Sequence, residues 1–297
     1  PAENTLQDNG RYAFFVGCTV AYKLPHIEAA TRYVMDTLAL DPVDLPFSCC
    51  PDPNGVHSYS AELWATLAAR NLALAEEQAL DVVAVCNGCY TTLKHCQAFL
   101  KNDLHLRERV NHRLKTVGRH FSGNNRVLHF YQLLYEHIGY ERLQQLVVNP
   151  LPDLSIAVHY GCHCLRPKQM EPPESAENPQ WLWQFVEHVL GAETVHYLDE
   201  TQCCGAGLRE MNREISLDLT RRKIQQMEEV EFLRTNFEDF KYYLLKNLET
   251  EEWSISQEQH FIKGDKNQNI YFLYDLADEE SAQDFLDYLK KRGYTVV

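Results

Sequence analysis

Eight of the ten cysteines in this chain follow one spacing pattern twice, and the second copy stops short. The first copy is Cys18, the adjacent pair Cys49-Cys50, and Cys86-Asn87-Gly88-Cys89. The second is Cys162 and the pair Cys203-Cys204, with no cysteine beyond. Cys96 and Cys164 lie outside the pattern. Thiolates gathered in sets of four or five bind soft metals or iron–sulfur clusters. A fold that holds this chain must therefore bring distant segments together around two cysteine sites, one complete and one impaired.

The remaining composition narrows the class. A chain of 297 residues accommodates two domains or one large one. No apolar run reaches the 18 residues or so of a membrane-spanning helix. The N-terminal Pro1-Ala2-Glu3-Asn4 has no basic or apolar signal region, so a cytoplasmic chain is expected, with its cysteines serving as ligands or redox groups. A net charge of −14 argues against nucleic acid as the main partner. It also gives no support to general adsorption on anionic lipid.

Short apolar strands alternate with amphipathic helices, the α/β pattern. Tyr12 to Val16 reads as a strand delivering Gly17-Cys18. Ile27, Ala30, Val34 and Leu38 follow at helical spacing. Tyr59 to Leu80 reads as a long helix, and Asp81 to Val85 as a buried strand ending on Cys86. After the linker Asn149-Pro150-Leu151-Pro152 the order restarts. Ser155 to Tyr160 is a strand ending at Gly161-Cys162, Gln180 to Leu190 a helix, and Thr194 to Leu198 a strand before Cys203-Cys204. This recurrence indicates internal duplication. The step from Gly-Cys to Cys-Cys is 31 residues in the first copy and 41 in the second. The excess coincides with a Pro- and Glu-rich insert, Lys168 to Pro179, expected as a surface loop. Domain boundaries are expected at 1–150, 151–230 and 231–297. The last segment carries a strand over Asn269 to Tyr274, a helix capped by Asp278 and ended by Gly293, and a strand over Tyr294 to Val297. It reads as a small βαβ unit where a second Cys-x-x-Cys is missing.

Cys18, Cys86 and Cys162 each follow a strand end, and the carboxyl ends of strands in α/β sheets share one edge where ligands bind. Adjacent cysteines are awkward in one small tetrahedral site but suit a larger cluster. Gly17 and Gly88 would let the backbone approach such a core. A four-thiolate structural zinc is the alternative for the first set. Cys96 reads as a packed thiol. Cys164 reads equally as ligand or bystander. His159 and His163 flank Cys162 as candidate ligands, donors to cluster sulfide or proton carriers.

These residues resemble the cysteine-rich CCG domains of the heterodisulfide reductase B-subunit family. The resemblance rests on Phe15-Val16-Gly17-Cys18, Ser48-Cys49-Cys50-Pro51, Cys86-Asn87-Gly88-Cys89-Tyr90, Val158-His159-Tyr160-Gly161-Cys162-His163 and Gln202-Cys203-Cys204-Gly205-Ala206-Gly207. It covers roughly residues 11 to 228. It implies two duplicated CCG-type α/β domains, the second incomplete. It implies a [4Fe-4S] cluster, conventional or noncubane, on Cys18, Cys49, Cys50, Cys86 and Cys89. At Cys162, Cys203 and Cys204, with Cys164, His159 and His163 as substitute ligands, a cluster, zinc or an empty site remain open. The departure at the second site points to the variant that serves as third subunit of a succinate dehydrogenase or fumarate reductase. Such a subunit links a partner iron–sulfur subunit, fed by a flavoprotein, to quinone, peripheral on the cytoplasmic face of a membrane. The alternatives are a catalytic subunit of a heterodisulfide (thiol–disulfide) reductase-like complex and a scaffold with an inert metal.

Overall fold

The computed structural model describes residues 10–51, 55–209, 211–236, 242–246, 253–256 and 274–276, with backbone alone from residue 229 onward. The chain opens β1 (Arg11–Phe15), α1 (Cys18–Lys23), α2 (Pro25–Thr37), β2 (Asp41–Val43), α3 (Gly55–Tyr59), α4 (Ala61–Glu76), β3 (Asp81–Ala84), α5 (Asn87–Asn102) and α6 (Leu104–Leu114). It continues with β4 (Val127–His129), α7 (Phe130–Leu133), α8 (Tyr140–Leu146), β5 (Ser155–Ala157), α9 (Cys162–Leu165), α10 (Trp181–Gln184) and β6 (Glu193–Val195). The last elements are α11 (Arg213–Asn236), β7 (Tyr242–Lys246), β8 (Trp253–Ser256) and β9 (Tyr274–Leu276). Contacts divide the chain into two compact units, residues 1–194 with 201–211, and residues 195–200 with 212–297.

The first unit is built on a four-stranded parallel sheet in the order β2-β1-β3-β4. The twofold alternation of β1 explains why both faces are covered. Tyr12 and Phe14 join Val83 and Leu128 in one cluster with Met35 of α2, Leu38 just past its end, and Leu133 and Leu143 from α7 and α8. Ala13 and Phe15 join Val82, Ala84 and Val127 on the other face, against Trp64, Ala68 and Leu72 of α4 and Leu93 and Cys96 of α5. Two local signals start helices α4 and α6, whose apolar residues pack on that second face. Ser60 caps α4 by accepting the Leu63 N–H (3.2 Å), and Asp103 caps α6 by accepting that of Leu106 (2.8 Å). Val82 takes no β-bulge or Pro, so β3 runs at the centre with all four residues buried.

Three sequence expectations change. Pro42, which with Pro46 reads from the sequence as a break in the chain before Cys49-Cys50, does not merely interrupt it. It lies in β2, an edge strand, where a missing N–H costs no ladder bond. The long helix over Tyr59 to Leu80 is two, α3 and α4, parted at the Ser60 cap. The insert Lys168 to Pro179 is not simply a surface loop: Met170 is fully buried, and Glu174 accepts the Gln180 and Trp181 N–H groups (both 2.7 Å) at the start of α10. That helix runs into a π-helical turn, Phe185–Val189, instead of continuing as regular α-helix. β5 and β6 form a separate two-stranded sheet.

In the second unit, Asp199 is tied to α11. Its N–H donates to Gln226 Oε1 (2.8 Å), its carboxylate accepts from Gln226 Nε2 (2.9 Å), and its carbonyl accepts from the Lys223 ammonium. β7 pairs antiparallel with β8 and with β9. The expected C-terminal helix and final strand lie outside the described residues, as does the strand over Asn269 to Tyr274 apart from its last residue, where β9 begins. No helix among the described residues is long and apolar enough to cross a membrane.

Candidate metal centre

The first cysteine set converges as a chain of neighbouring thiols. Cys49 lies in hydrogen-bond contact with Cys18 and Cys50, Cys50 with Cys89, and Cys89 with Cys86. Each arrives by a different element. Cys18 opens α1 just past β1, and Cys86 caps α5 just past β3, its parallel neighbour, so both thiols reach the same sheet edge. Cys89 sits one turn into α5. The array runs from exposed Cys18 and Cys49 to buried Cys50 and Cys89.

The adjacent pair is held by residues that cysteine spacing does not reveal. Asn71, almost fully buried on α4, accepts the Ser48 N–H with Oδ1 (2.9 Å) and donates through Nδ2 to the carbonyls of Ser48 (3.3 Å) and Cys49 (3.2 Å). Arg70 donates to the Pro46 carbonyl (2.8 Å), and the Thr92 hydroxyl of α5 to that of Pro51 (3.1 Å). The signal in the sequence was a lone Asn inside an Ala- and Leu-rich helix, where a buried amide needs partners.

Electrostatics divide the thiols. Cys86 is pulled down to about 6, first by the hydrogen bond from Cys89 and then by the backbone N–H groups of Cys89 and Gly88. A thiolate at a helix N-terminus is the expected result. Cys49 is pushed up to about 11 by burial and by Cys50 and Cys18. Cys89 is pushed up by Cys50, Cys86 and its own burial. Crowded thiols resist losing several protons together unless a cation takes up the charge. A metal would do that, and the soft donor set suits iron with sulfide.

The backbone also fits a bulky inorganic core. Gly17 has φ 79°, and a Cβ there would fall 2.7 Å from Cys89 Sγ and 3.6 Å from Cys86 Cβ. At Gly88 a Cβ would meet Cys86 Sγ at 3.9 Å, an ordinary contact, so the close approach belongs to Gly17. Among the described residues no three His, Cys, Asp or Glu side chains close around a single metal ion. The thiols form an extended array, not a tight knot.

The second set gathers Cys162, Cys203 and Cys204. Burial and the two neighbouring thiols push Cys162 up, and Cys203 lies in hydrogen-bond contact with it. Cys203 Sγ accepts the Gly205 N–H (3.3 Å). Cys164 is buried, and burial first, then Cys86, Cys162 and Glu174 acting through space, push its thiol up. His163 meets this region through its backbone: its N–H donates to Cys162, and its carbonyl accepts from the Thr91 hydroxyl of α5. His159 is exposed. The two copies are packed together here. A Cβ on Gly161 would fall 2.8 Å from Asn87 Cγ, inside the side chain of the first Cys-x-x-Cys. Cys96 is fully buried and donates to the Ala65 carbonyl (3.5 Å), apart from both sets. Trp181 stacks on Tyr135 (4.0 Å between centroids), and Trp183 packs edge-on to Tyr160.

The cysteine-rich CCG domain matches residues 12–94 and again 156–236. This chain belongs to the CCG family. It is 37 % identical over 217 residues to the B subunit of the ferredoxin:CoB-CoM heterodisulfide reductase of Methanosarcina mazei, covering 72 % of each chain. It is 32 % identical over 223 residues to a heterodisulfide reductase B-subunit-like protein of Archaeoglobus profundus, covering 74 % of each. It is 30 % identical over 197 residues to the membrane anchor subunit of the 8-methylmenaquinol:fumarate reductase of Wolinella succinogenes, covering 65 % of this chain and 66 % of that one. A crystal structure of a hypothetical protein from Helicobacter pylori shares the fold, with a TM-score of 0.55 at 16 % identity over 70 % of this chain and 37 % of that one. The mixed α/β architecture with a parallel sheet is that expected of CCG domains.

Proposed function

We propose that this CCG protein is an iron–sulfur electron-transfer subunit of an oxidoreductase complex of the succinate dehydrogenase/fumarate reductase type. It passes electrons between a partner iron–sulfur subunit, itself fed by a flavoprotein, and quinone. The observation that carries this reading is the asymmetry of the two sites. Five thiols form one continuous array, whereas the second set has three. A catalyst that works a disulfide between two clusters needs both sites. A relay needs one. The relative from Wolinella succinogenes, described as a membrane anchor subunit, supports association with a membrane, and the peripheral position on its cytoplasmic face is part of the proposal.

In this reading residues 1–150 and 151–230 are the two copies, with 231–297 divergent. Cys18, Cys49, Cys50, Cys86 and Cys89 hold a [4Fe-4S]-type cluster, conventional or noncubane. When bound, such a cluster supplies reversible one-electron chemistry. Gly17 gives the backbone room beside Cys86 and Cys89, and Asn71 and Thr92 hold the Cys49-Cys50 segment in place. The exposed rim at Cys18 and Cys49 is where a redox partner approaches, and burial of Cys50 and Cys89 keeps water from the inner side. At the second site a cluster, zinc or no metal on Cys162, Cys203 and Cys204, with Cys164, His159 or His163 completing the ligands, are the remaining states.

The second reading is a catalytic subunit of a heterodisulfide reductase-like complex. The higher identity to the Methanosarcina mazei relative favours it. Anaerobic purification of the complex from membranes tests both. Iron and sulfide with a flavoprotein that oxidises succinate is the expected result. A flavoprotein feeding disulfide cleavage selects the second reading, and zinc without sulfide sinks both.

A further inference from the structure

The insert that lengthens the second copy builds a cavity away from both cysteine sets. Its first turn, Lys168–Met170, packs on α5. Met170 is buried, and Glu171 follows in the left-handed region (φ 53°), a conformation a non-glycine residue adopts at a cost. Together with α5 and residues 123–126 this turn forms a half-open pocket of ≈ 290 Å³, lined in part by half-buried Lys94, Gln97 and Arg126 and by exposed Lys101, Asn102 and Glu171.

The charges on its wall are unbalanced. Arg126 is committed to Asp81, with Nε to Oδ2 at 2.7 Å. Lys94 and Lys101 make no hydrogen bond or ion pair to any described residue, and Lys94 is half-buried. Among the described residues Glu171 is the one carboxylate on the wall; it attracts Lys94 without pairing with it, and Glu136 attracts Lys94 from outside the wall. Burial works against the Lys94 ammonium. A cation taken partly out of water without a bound counter-charge destabilises a fold, and an anion that enters relieves that cost.

We propose that this cavity binds a small oxyanion of the phosphate class, free or esterified, held by Lys94 and Lys101 against the Arg126 side of the wall. The volume exceeds what a bare tetrahedral anion fills, which leaves room for an ester group. The ten extra residues of the second copy thus contribute one wall of a ligand site.

The test is thermal unfolding of the full chain at low ionic strength, with sodium phosphate or glycerol phosphate compared with sodium chloride at matched ionic strength. A saturable rise in melting temperature specific to the phosphates is expected. Lys94→Met should weaken it by about tenfold or more in dissociation constant, because a charge-assisted contact is lost. Lys94→Arg should retain it, Glu171→Gln should strengthen it by about threefold by removing the opposing carboxylate, and Lys115→Met, outside the cavity, should leave it unchanged. Tighter binding of glycerol phosphate assigns an esterified ligand, and tighter binding of phosphate the free ion. A rise matched by chloride, or one that survives in Lys94→Met, overturns the proposal.

Discussion

Gly17 meets two demands at once. Its φ of 79° lies where an L side chain is strained, and its missing Cβ leaves room for Cys89 Sγ. Gly17→Ala should therefore lower iron content per chain and destabilise the fold by about 1–2 kcal/mol from the backbone alone. Iron and sulfide assay with urea unfolding reads both, and an alanine variant with full iron would show the approach to be unimportant. The cysteines separate by the same measurement. Cys50→Ala removes the thiol that links Cys49 to Cys89 and should abolish iron binding. Cys96→Ala should leave iron intact and cost about 1–2 kcal/mol, as expected for trimming one buried atom and leaving a small void.

At the scale of elements, α4 is both a wall of the core and the clamp for Cys49-Cys50. Asn71→Leu keeps the apolar packing but leaves the Ser48 N–H and the Ser48 and Cys49 carbonyls without their partner. Ser48 and Cys49 are exposed, so water takes up part of the loss and the cost stays at about 1 kcal/mol. The variant should lose iron faster to a chelator than the parent, although no ligand was touched; equal rates would mean that the segment is held by Arg70 and Thr92 alone. His129 ends β4 and caps α7 by accepting the Tyr131 N–H at Nδ1 (3.3 Å). Burial pulls it down to about 3, from an ordinary value near 6.5. The unfolded chain thus binds the proton more readily, so this stabilisation is complete above about pH 6.5 and is lost as pH falls toward 3. His129→Gln should flatten the fall of the urea midpoint over that window. An unchanged slope would place the acid sensitivity elsewhere.

For the whole molecule, the first cysteine set joins β1, the Cys-Cys segment and α5, and α5 also packs on α9 of the second copy. Metal bound there holds segments that are distant in sequence. Anaerobic removal of iron by a chelator should therefore lower the melting temperature of the first unit as one transition, because ligand binding to the folded state alone adds to its stability. Gly161→Ala, which displaces Asn87 at the junction of the copies, should reduce iron at the first set from a position in the second copy. Iron content equal to the parent would show that the first set binds metal independently of the second copy.

The cysteine spacing by itself determined the duplication and the number of thiols in each copy, because a repeated motif depends on residue type and order. β1 and β3 were legible as well, since buried central strands are short, continuously apolar and delivered to a cysteine. β2 and β4 were not, because three-residue strands carry too little periodicity, and Pro42 disguised one of them. Only the tertiary structure decided how the thiols are ordered from solvent to core, that Cys164 is buried and that Asn71 holds the adjacent pair. It also decided that the insert forms one side of an open pocket on α5. Each of these depends on side chains from segments far apart in sequence, and such pairings leave no local pattern to read.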